Sequence, residues 1–346
     1  MKFAVAVVND GFDRFRDRVT LVERMGFDRV CFGDNQSVYR EAWISHASVA
    51  RETSRIGMWL TVTNPETRHL AVTAAAASSM SELSGGRFAL GLGTAFSALG
   101  ALGQRPVTVA RLRAALVGLR SFWNGEDVEW AGGTGRLAWP AQAVPLSIAA
   151  AGPKTLRLAG ELCDEVIVGS GLDTESVRTA LGHIEAGGAV AGRPTSEVRP
   201  WFYAKCSIAD TREEAVDAIR GLLAGSAAFS FRDGTDERLP PALRAKVNAL
   251  QERYSLREHS VAGAAHNAEL VDDPELSLFL ADRFGLVGTP ADIVDKLTAL
   301  RAVGVERVLI TALGHDPETL IRRFADEVIP SVREPVGRQD DKQEGA

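Results

Sequence analysis

Between Trp59 and Gly103 the chain reads WLTVTNPETRHLAVTAAAASSMSELSGGRFALGLGTAFSALGALG, and this stretch restricts the fold more than any other. An apolar run ends at Thr61-Val62-Thr63, Asn64-Pro65 breaks it, an alanine-rich helix follows, and Gly85-Gly86 stops that helix. A second buried strand then empties into Gly91-Leu92-Gly93-Thr94-Ala95. Strand, helix and strand, with small and polar residues at each strand end, form the unit of a parallel α/β sheet. Such sheets bind ligands at those ends.

The unit recurs along the chain. Apolar runs predict strands at 3–8, 29–32, 57–63, 88–92, 145–150, 165–168, 199–207 and 307–311. Helical spacing fills the intervals at 12–25, 42–51, 67–83, 107–123, 154–163, 174–189, 212–223 and 289–303, with a closing helix at 317–328. Eight strands with helices between them predict a single (β/α)8 TIM barrel over residues 1–330. A doubly wound sheet is the alternative, disfavoured because such sheets seldom need eight evenly spaced units without a second domain. Asp127 to Ala138, with Gly132-Gly133 at its centre, reads as a surface hairpin. Residues 225–283 read as an irregular, cap-like insertion before the last strand, holding one helix at 242–254, and an insertion that long is expected to cover something. The charged tail, 331–346, is expected to be disordered.

The charge balance narrows the partners. A net charge of -6 and a pI near 5.6 argue against a nucleic-acid binder, which would show a basic face. The first residues, MKFAVAVVNDGFDRF, hold an apolar run too short for a signal peptide or a membrane span, so a cytoplasmic protein is expected. Cys31, Cys163 and Cys206 lack CxxC spacing and neighbouring histidines, which reads as buried thiols and no metal. HExxH, a Walker loop and GxSxG are absent, and a GxGxxG match at Gly91 fails at Phe96.

Three strand ends carry candidate chemistry. Ala150-Ala151-Gly152-Pro153-Lys154-Thr155 runs from a strand into a helix start, and Val168-Gly169-Ser170-Gly171 follows one unit later. Free N–H groups, small residues and a lysine make an anion pocket suited to phosphate. The same Gly and Pro could merely turn the chain. Asp34-Asn35-Gln36 offers a carboxylate and two amides that could meet a heteroaromatic ring edge or cap the next helix. Asn9 and Asp10 invite the same reading. Thr61-Val62-Thr63 is first of all a buried strand. His69 sits where packing or hydrogen bonding is the expectation, and His259, His266 and His315 lie in loops without metal spacing.

Four segments, GFDRVCFGDNQ (26–36), TNPETRHLAVTAAAASSMSELSGGRFALGLG (63–93), AAGPKTLRLAGELCDEVIVGSG (150–171) and DRFGLVGTPADIVDKL (282–297), resemble the luciferase-like flavin and deazaflavin oxidoreductases. Within them the chain is similar to the methylenetetrahydromethanopterin reductase branch. The resemblance covers about residues 1–330 and is weakest between Gly225 and Arg283. It implies coenzyme F420 as cofactor, with FMN as the alternative, and a homodimer. It also implies a non-prolyl cis peptide at Thr61-Val62, a ring lined by Asp34, Asn35 and Thr94, and a phosphate held by Ala150, Gly152, Pro153, Lys154, Gly169 and Ser170. Relatives often carry His or Ser where Asn35 stands and an acidic residue near Phe96, so the usual proton donor is missing here. The proton is then expected from Asp10, Asp34, a loop histidine such as His266, or water. The activity implied is hydride delivery to an electron-poor C=C or C=N of a small-molecule or peptide-like natural-product substrate. An FMN-dependent monooxygenase and a barrel that binds ligand without catalysis are the alternatives.

Overall fold

The computed structural model describes residues 1–231, 239–259 and 265–333. Eleven strands are present among them. They are β1 (Lys2–Ala6), β2 (Arg29–Phe32), β3 (Gly57–Thr63), β4 (Phe88–Leu92), β5 (Val128–Trp130), β6 (Gly133–Gly135), β7 (Leu146–Ala150), β8 (Glu165–Val168), β9 (Arg199–Ile208), β10 (Gly285–Gly288) and β11 (Arg307–Thr311). The order β9-β11-β1-β2-β3-β4-β7-β8, closed by a β8–β9 pairing, makes an eight-stranded parallel cylinder. Helices connect its strands, so this is a (β/α)8 barrel and not an open doubly wound sheet.

Two features differ from the sequence expectation. The GLVG strand β10 was not anticipated; it exists because β9 is ten residues long. Arg199 to Phe202 pair with β8, and the free edge from Lys205 to Ile208 takes β10 outside the ring. Residues 225–283 are mostly helical where described, with helices Arg220–Ser230, Pro241–Arg253, Ala265–Glu269 and Pro274–Phe284, all but the short third one contributing to a second apolar cluster. The first of these, RGLLAGSAAFS, is rich in Gly, Ala and Ser and reads as loop by composition; burial of Leu222, Leu223 and Ala227 against neighbours overrides that. At the other end Ile329–Val332 is a helix, so 331 and 332 are not tail. Residues 334–346 of the expected disordered tail lie outside the described residues.

One end of the barrel is plugged. Arg29, Glu165 and Arg199 are each the first residue of their strand. The Glu165 carboxylate is 1% exposed and takes both guanidinium groups, Arg199 at 3.0 Å. The Arg29 guanidinium lies 5.1 Å from the ring centres of both Trp59 and Trp201. A carboxylate this deep persists because two cations and their hydrogen bonds offset its desolvation. The interior above it is lined by small residues, Ala4, Ala6, Ala89 and Ala149, leaving the opposite end open.

His46 fixes the wall between β2 and the helix Ala42–Glu52. Its Nδ1 meets Ala42 O at 2.8 Å, its ring packs on Phe32 and Phe88, and burial pushes its pKa down to about 3. An ordinary imidazole takes its proton near 6.5, so on acidification the unfolded chain binds that proton first. Stability from this group is therefore full above pH 6.5 and falls toward pH 3, by about 1.4 kcal/mol per unit. His46→Leu should flatten the acid limb of urea unfolding measured at stepped pH. An unchanged slope would show that other groups govern it.

Candidate active site

A cavity of about 500 Å³ opens at the C-terminal ends of the barrel strands, within the usual range of small-ligand sites, about 300–1,000 Å³. Its wall begins at the end of β3, where the Thr61–Val62 peptide is cis and the ladder to β4 shifts register between Leu60 and Thr63. Val62 then stands in the cavity, over Gly91 and Gly93. No other residue fits at Gly93 without displacement, since a Cβ there would lie 2.6 Å from Val62 Cγ2.

At the end of β2, Asp34 is committed to its neighbours. Its Oδ2 accepts from Thr63 Oγ1 and from Arg68 Nη1, both at 2.7 Å, and Arg68 also pairs with Glu41. This arrangement makes Asp34 an anchored charge rather than a mobile acid. Asn35 is buried; its Nδ2 donates to Ser97 Oγ at 3.2 Å and its Oδ1 accepts from Ser37 N at 3.0 Å. The amide thus ties the loop after β2 to the short helix Phe96–Gly100 after β4. Thr94 lines the cavity beside it.

The ends of β7 and β8 are built differently. Helix Pro153–Leu162 begins at Gly152 with no side-chain cap, and Pro153 at its first position carries no N–H. The N–H groups of Lys154 and Thr155 are therefore left for an outside acceptor. Nothing lies within 4 Å of a Cβ placed on Gly152. Ala150, Gly152, Thr155 and Gly169 line the cavity, whereas the Lys154 side chain is exposed and Pro153 and Ser170 are outside the lining. Ser170 is buried immediately after Gly169, and its Oγ has no hydrogen-bond partner. An uncapped helix start and an open glycine at the cavity wall fit the oxygens of a phosphate.

The third side was not singled out from sequence. Tyr203 and Lys205 of β9 face the cavity, and Lys205 Nζ donates to Tyr203 Oη at 3.0 Å. The signal was present: in FYAKC, an aromatic phenol and a lysine alternate with apolar residues, placing both on one face of a barrel strand. The same cavity carries an aromatic wall. Phe229, on the helix Arg220–Ser230, lies edge-on to Phe96 at 5.0 Å and to His259 at 5.1 Å. Tyr254 Oη and His259 Nδ1 are 2.7 Å apart. Desolvation, with the nearby Lys205 charge, pushes the His259 pKa down to about 4, so this imidazole is neutral at pH 7.

Asp10 and His266 do not reach the cavity. Burial alone would raise the Asp10 pKa, but the hydrogen bond and charge of Arg18 outweigh it and hold the carboxyl below its ordinary value. His266 Nε2 sits 2.9 Å from Arg253 O on the short helix Ala265–Glu269. His69 caps the helix Leu70–Leu83, its Nδ1 accepting from Ala71 N at 3.3 Å. The three cysteines are buried and reduced, their thiol pKa values pushed up by burial. Among the described residues, none of the helices is long and apolar enough to cross a membrane.

A closed parallel barrel with its cavity at the C-terminal strand ends defines the fold class, and comparison with known proteins gives the family. Residues 1–307 match the family model described as luciferase-like monooxygenase, and the chain belongs to that family. It is 30% identical over 324 residues to 5,10-methylenetetrahydromethanopterin reductase of Methanolobus tindarius, covering 89% of this chain and 93% of that protein. It is 26% identical over 353 residues to F420-dependent glucose-6-phosphate dehydrogenase of Nakamurella multipartita, covering 95% of each. The solved coenzyme F420 dependent tetrahydromethanopterin reductase of Methanopyrus kandleri superposes with a TM-score of 0.75 at 21% identity, over 96% of this chain and 99% of that one.

Proposed function

We propose that the chain is a coenzyme F420-dependent oxidoreductase that reduces an electron-poor C=C or C=N of a small-molecule or natural-product acceptor. The observation that carries this reading is the seat at the end of β7, where the uncapped helix start and Gly152 fit a phosphate at the wall of the cavity. When bound, the reduced deazaflavin supplies a hydride from its C5. Val62, the Asn35 amide and the Thr94 hydroxyl, which line the cavity, would hold its ring. Asp34, pinned by Arg68 and Thr63, keeps the β2 loop in place. Phe96, Phe229 and the half-buried His259 form the acceptor side, and the helices of residues 225–283 act as its cap, excluding water. The working unit in this reading is a cytoplasmic homodimer.

Titrating the purified protein separately with F420 and FMN, and following the visible spectrum, tests the cofactor. Saturable binding of F420 with weak or no binding of FMN is expected. Binding of FMN alone would replace this reading with an FMN-dependent monooxygenase, which the family model's name favours. Lys154 is exposed and the seat is mainly backbone, so Lys154→Ala should weaken F420 by only about 3- to 10-fold. No change would remove the lysine from the phosphate seat.

A further inference from the structure

The rings on the cavity wall are packed unlike those of the core. Phe3, Phe15, Phe88, Phe122, Phe202 and Phe324 are at most 1% exposed, whereas Phe96, Phe229 and His259 are only half-buried and line the cavity. Aromatic surface left facing a cavity is surface that a guest can remove from water. Three distant segments bring it there: Phe96 on the short helix after β4, Phe229 near the end of helix Arg220–Ser230, and His259 just after the 3-10 turn Leu256–Glu258. The second of these buries Leu222, Leu223, Ala227 and Ala228 and turns Gly225, Ser226, Phe229 and Ser230 to the cavity, positions that share one helical face. Phe229 is the one large side chain among those four. A Cβ on Gly225 would lie 3.1 Å from Tyr254 Oη, so the glycine leaves room for the Tyr254–His259 pair beside it.

We infer that Phe96, Phe229 and His259 form a corner that receives an aromatic ring of the acceptor, with Phe229 the residue that sets the preference. The planes of Phe96 and His259 stand at 74° and 87° to that of Phe229, with ring centres 5.0 Å and 5.1 Å away from it. A flat guest parallel to one of these rings is therefore nearly perpendicular to its neighbour, and offset-stacked and edge-on contacts are the arrangements that aromatic pairs favour. A saturated ring of the same size makes the apolar contact without that added preference. His259 is neutral at pH 7, because burial and the nearby Lys205 charge push its pKa down to about 4, so the corner carries no net charge of its own. The inference deepens the proposed function, and rests on it for placing the acceptor on this side of the cavity. The substrate class it names is an aryl-conjugated acceptor, in which the C=C or C=N is joined to a flat ring.

The test is calorimetric titration with benzamide and with cyclohexanecarboxamide, a flat and a puckered ring on the same neutral amide, on the cofactor-free protein and again with F420 at saturation. Benzamide should saturate at one equivalent in both, and bind about 3- to 10-fold tighter than its saturated counterpart. Phe229→Leu, which keeps apolar bulk and removes the ring, should bring the two amides within about 2-fold of each other. Phe96→Leu should lower the ratio by about 2-fold, and Phe229→Tyr, which keeps the ring, should preserve it. If neither amide saturates, if the two bind equally, or if the preference survives Phe229→Leu, the corner is wrong. Displacement of benzamide by F420 would also overturn it, since the aromatic ring would then occupy the coenzyme's place. A preference intact in a protein that binds FMN and not F420 would overturn the proposed cofactor and leave the corner standing.

Discussion

Gly187→Ala should destabilise the protein by at least about 3 kcal/mol and loosen its hold on the cofactor. Helices Pro153–Leu162 and Thr174–Val190 touch through backbone, with glycine on both sides of the contact. A Cβ on Gly187 would lie 2.7 Å from the carbonyl carbon of Arg157 and 2.8 Å from its Cα, and one on Gly160 would lie 2.9 Å from Gly188 N. Main-chain atoms have no rotamer to escape into, so one helix must move off the other. The helix that moves carries Gly152 and Thr155 to the cavity, which is why stability and phosphate binding should fall together. The expected loss is about 5–10 °C in melting temperature with at least a 10-fold weaker F420 titration. Gly182→Ala on the same helix meets nothing within 4 Å and should be neutral or stabilising by up to about 1 kcal/mol. Equal melting of Gly187→Ala and the parent would show that the helices are not in contact there.

Gly93→Ala should do the reverse, sparing the fold and damaging the site. The added Cβ meets a side chain, Val62 Cγ2 at 2.6 Å, and not main chain. Valine is stiff about its one side-chain torsion, and Val62 is held in the register break of β3. The relief available to it is into the cavity, where the ring would lie. F420 affinity should fall by about 30-fold or more while the melting temperature changes by only a few degrees. Adding Val62→Ala to Gly93→Ala should return most of the affinity, a non-additivity expected of two residues in contact. Affinity lost equally in the single and double variants would mean that Val62 is not what the new methyl displaces.

The barrel was legible because each strand is a short apolar run bounded by Gly, Asp or Asn, and each helix keeps its own spacing. All eight ring strands therefore stand within a residue or two of the positions their apolar runs mark. Gly285–Gly288 escaped notice because four residues carry no alternation, and its pairing depends on the length of a strand some eighty positions earlier. Of the helices between Arg220 and Phe284, Pro241–Arg253 stands within a residue of the expected 242–254, while Pro274–Phe284 and most of Arg220–Ser230 read as irregular because their apolar faces turn toward one another rather than toward the barrel. Within the site, Asp34, Asn35, Ala150, Gly152 and Gly169 were marked by their position at strand ends and Thr61, Val62 and Thr94 by the family resemblance, and all line one cavity. Asp10 follows β1 in the same way, yet Arg18 draws its carboxylate aside, a pairing that spacing alone does not reveal. Lys205 lies inside a strand, and only the closure of the cylinder turns it toward the ligand space.

The stopper of Arg29, Glu165 and two tryptophans at the foot of the barrel has a consequence for traffic. A vessel sealed below fills and empties through one doorway. On the proposed function, coenzyme and acceptor would therefore share that doorway, and the acceptor would not pass through the barrel to leave.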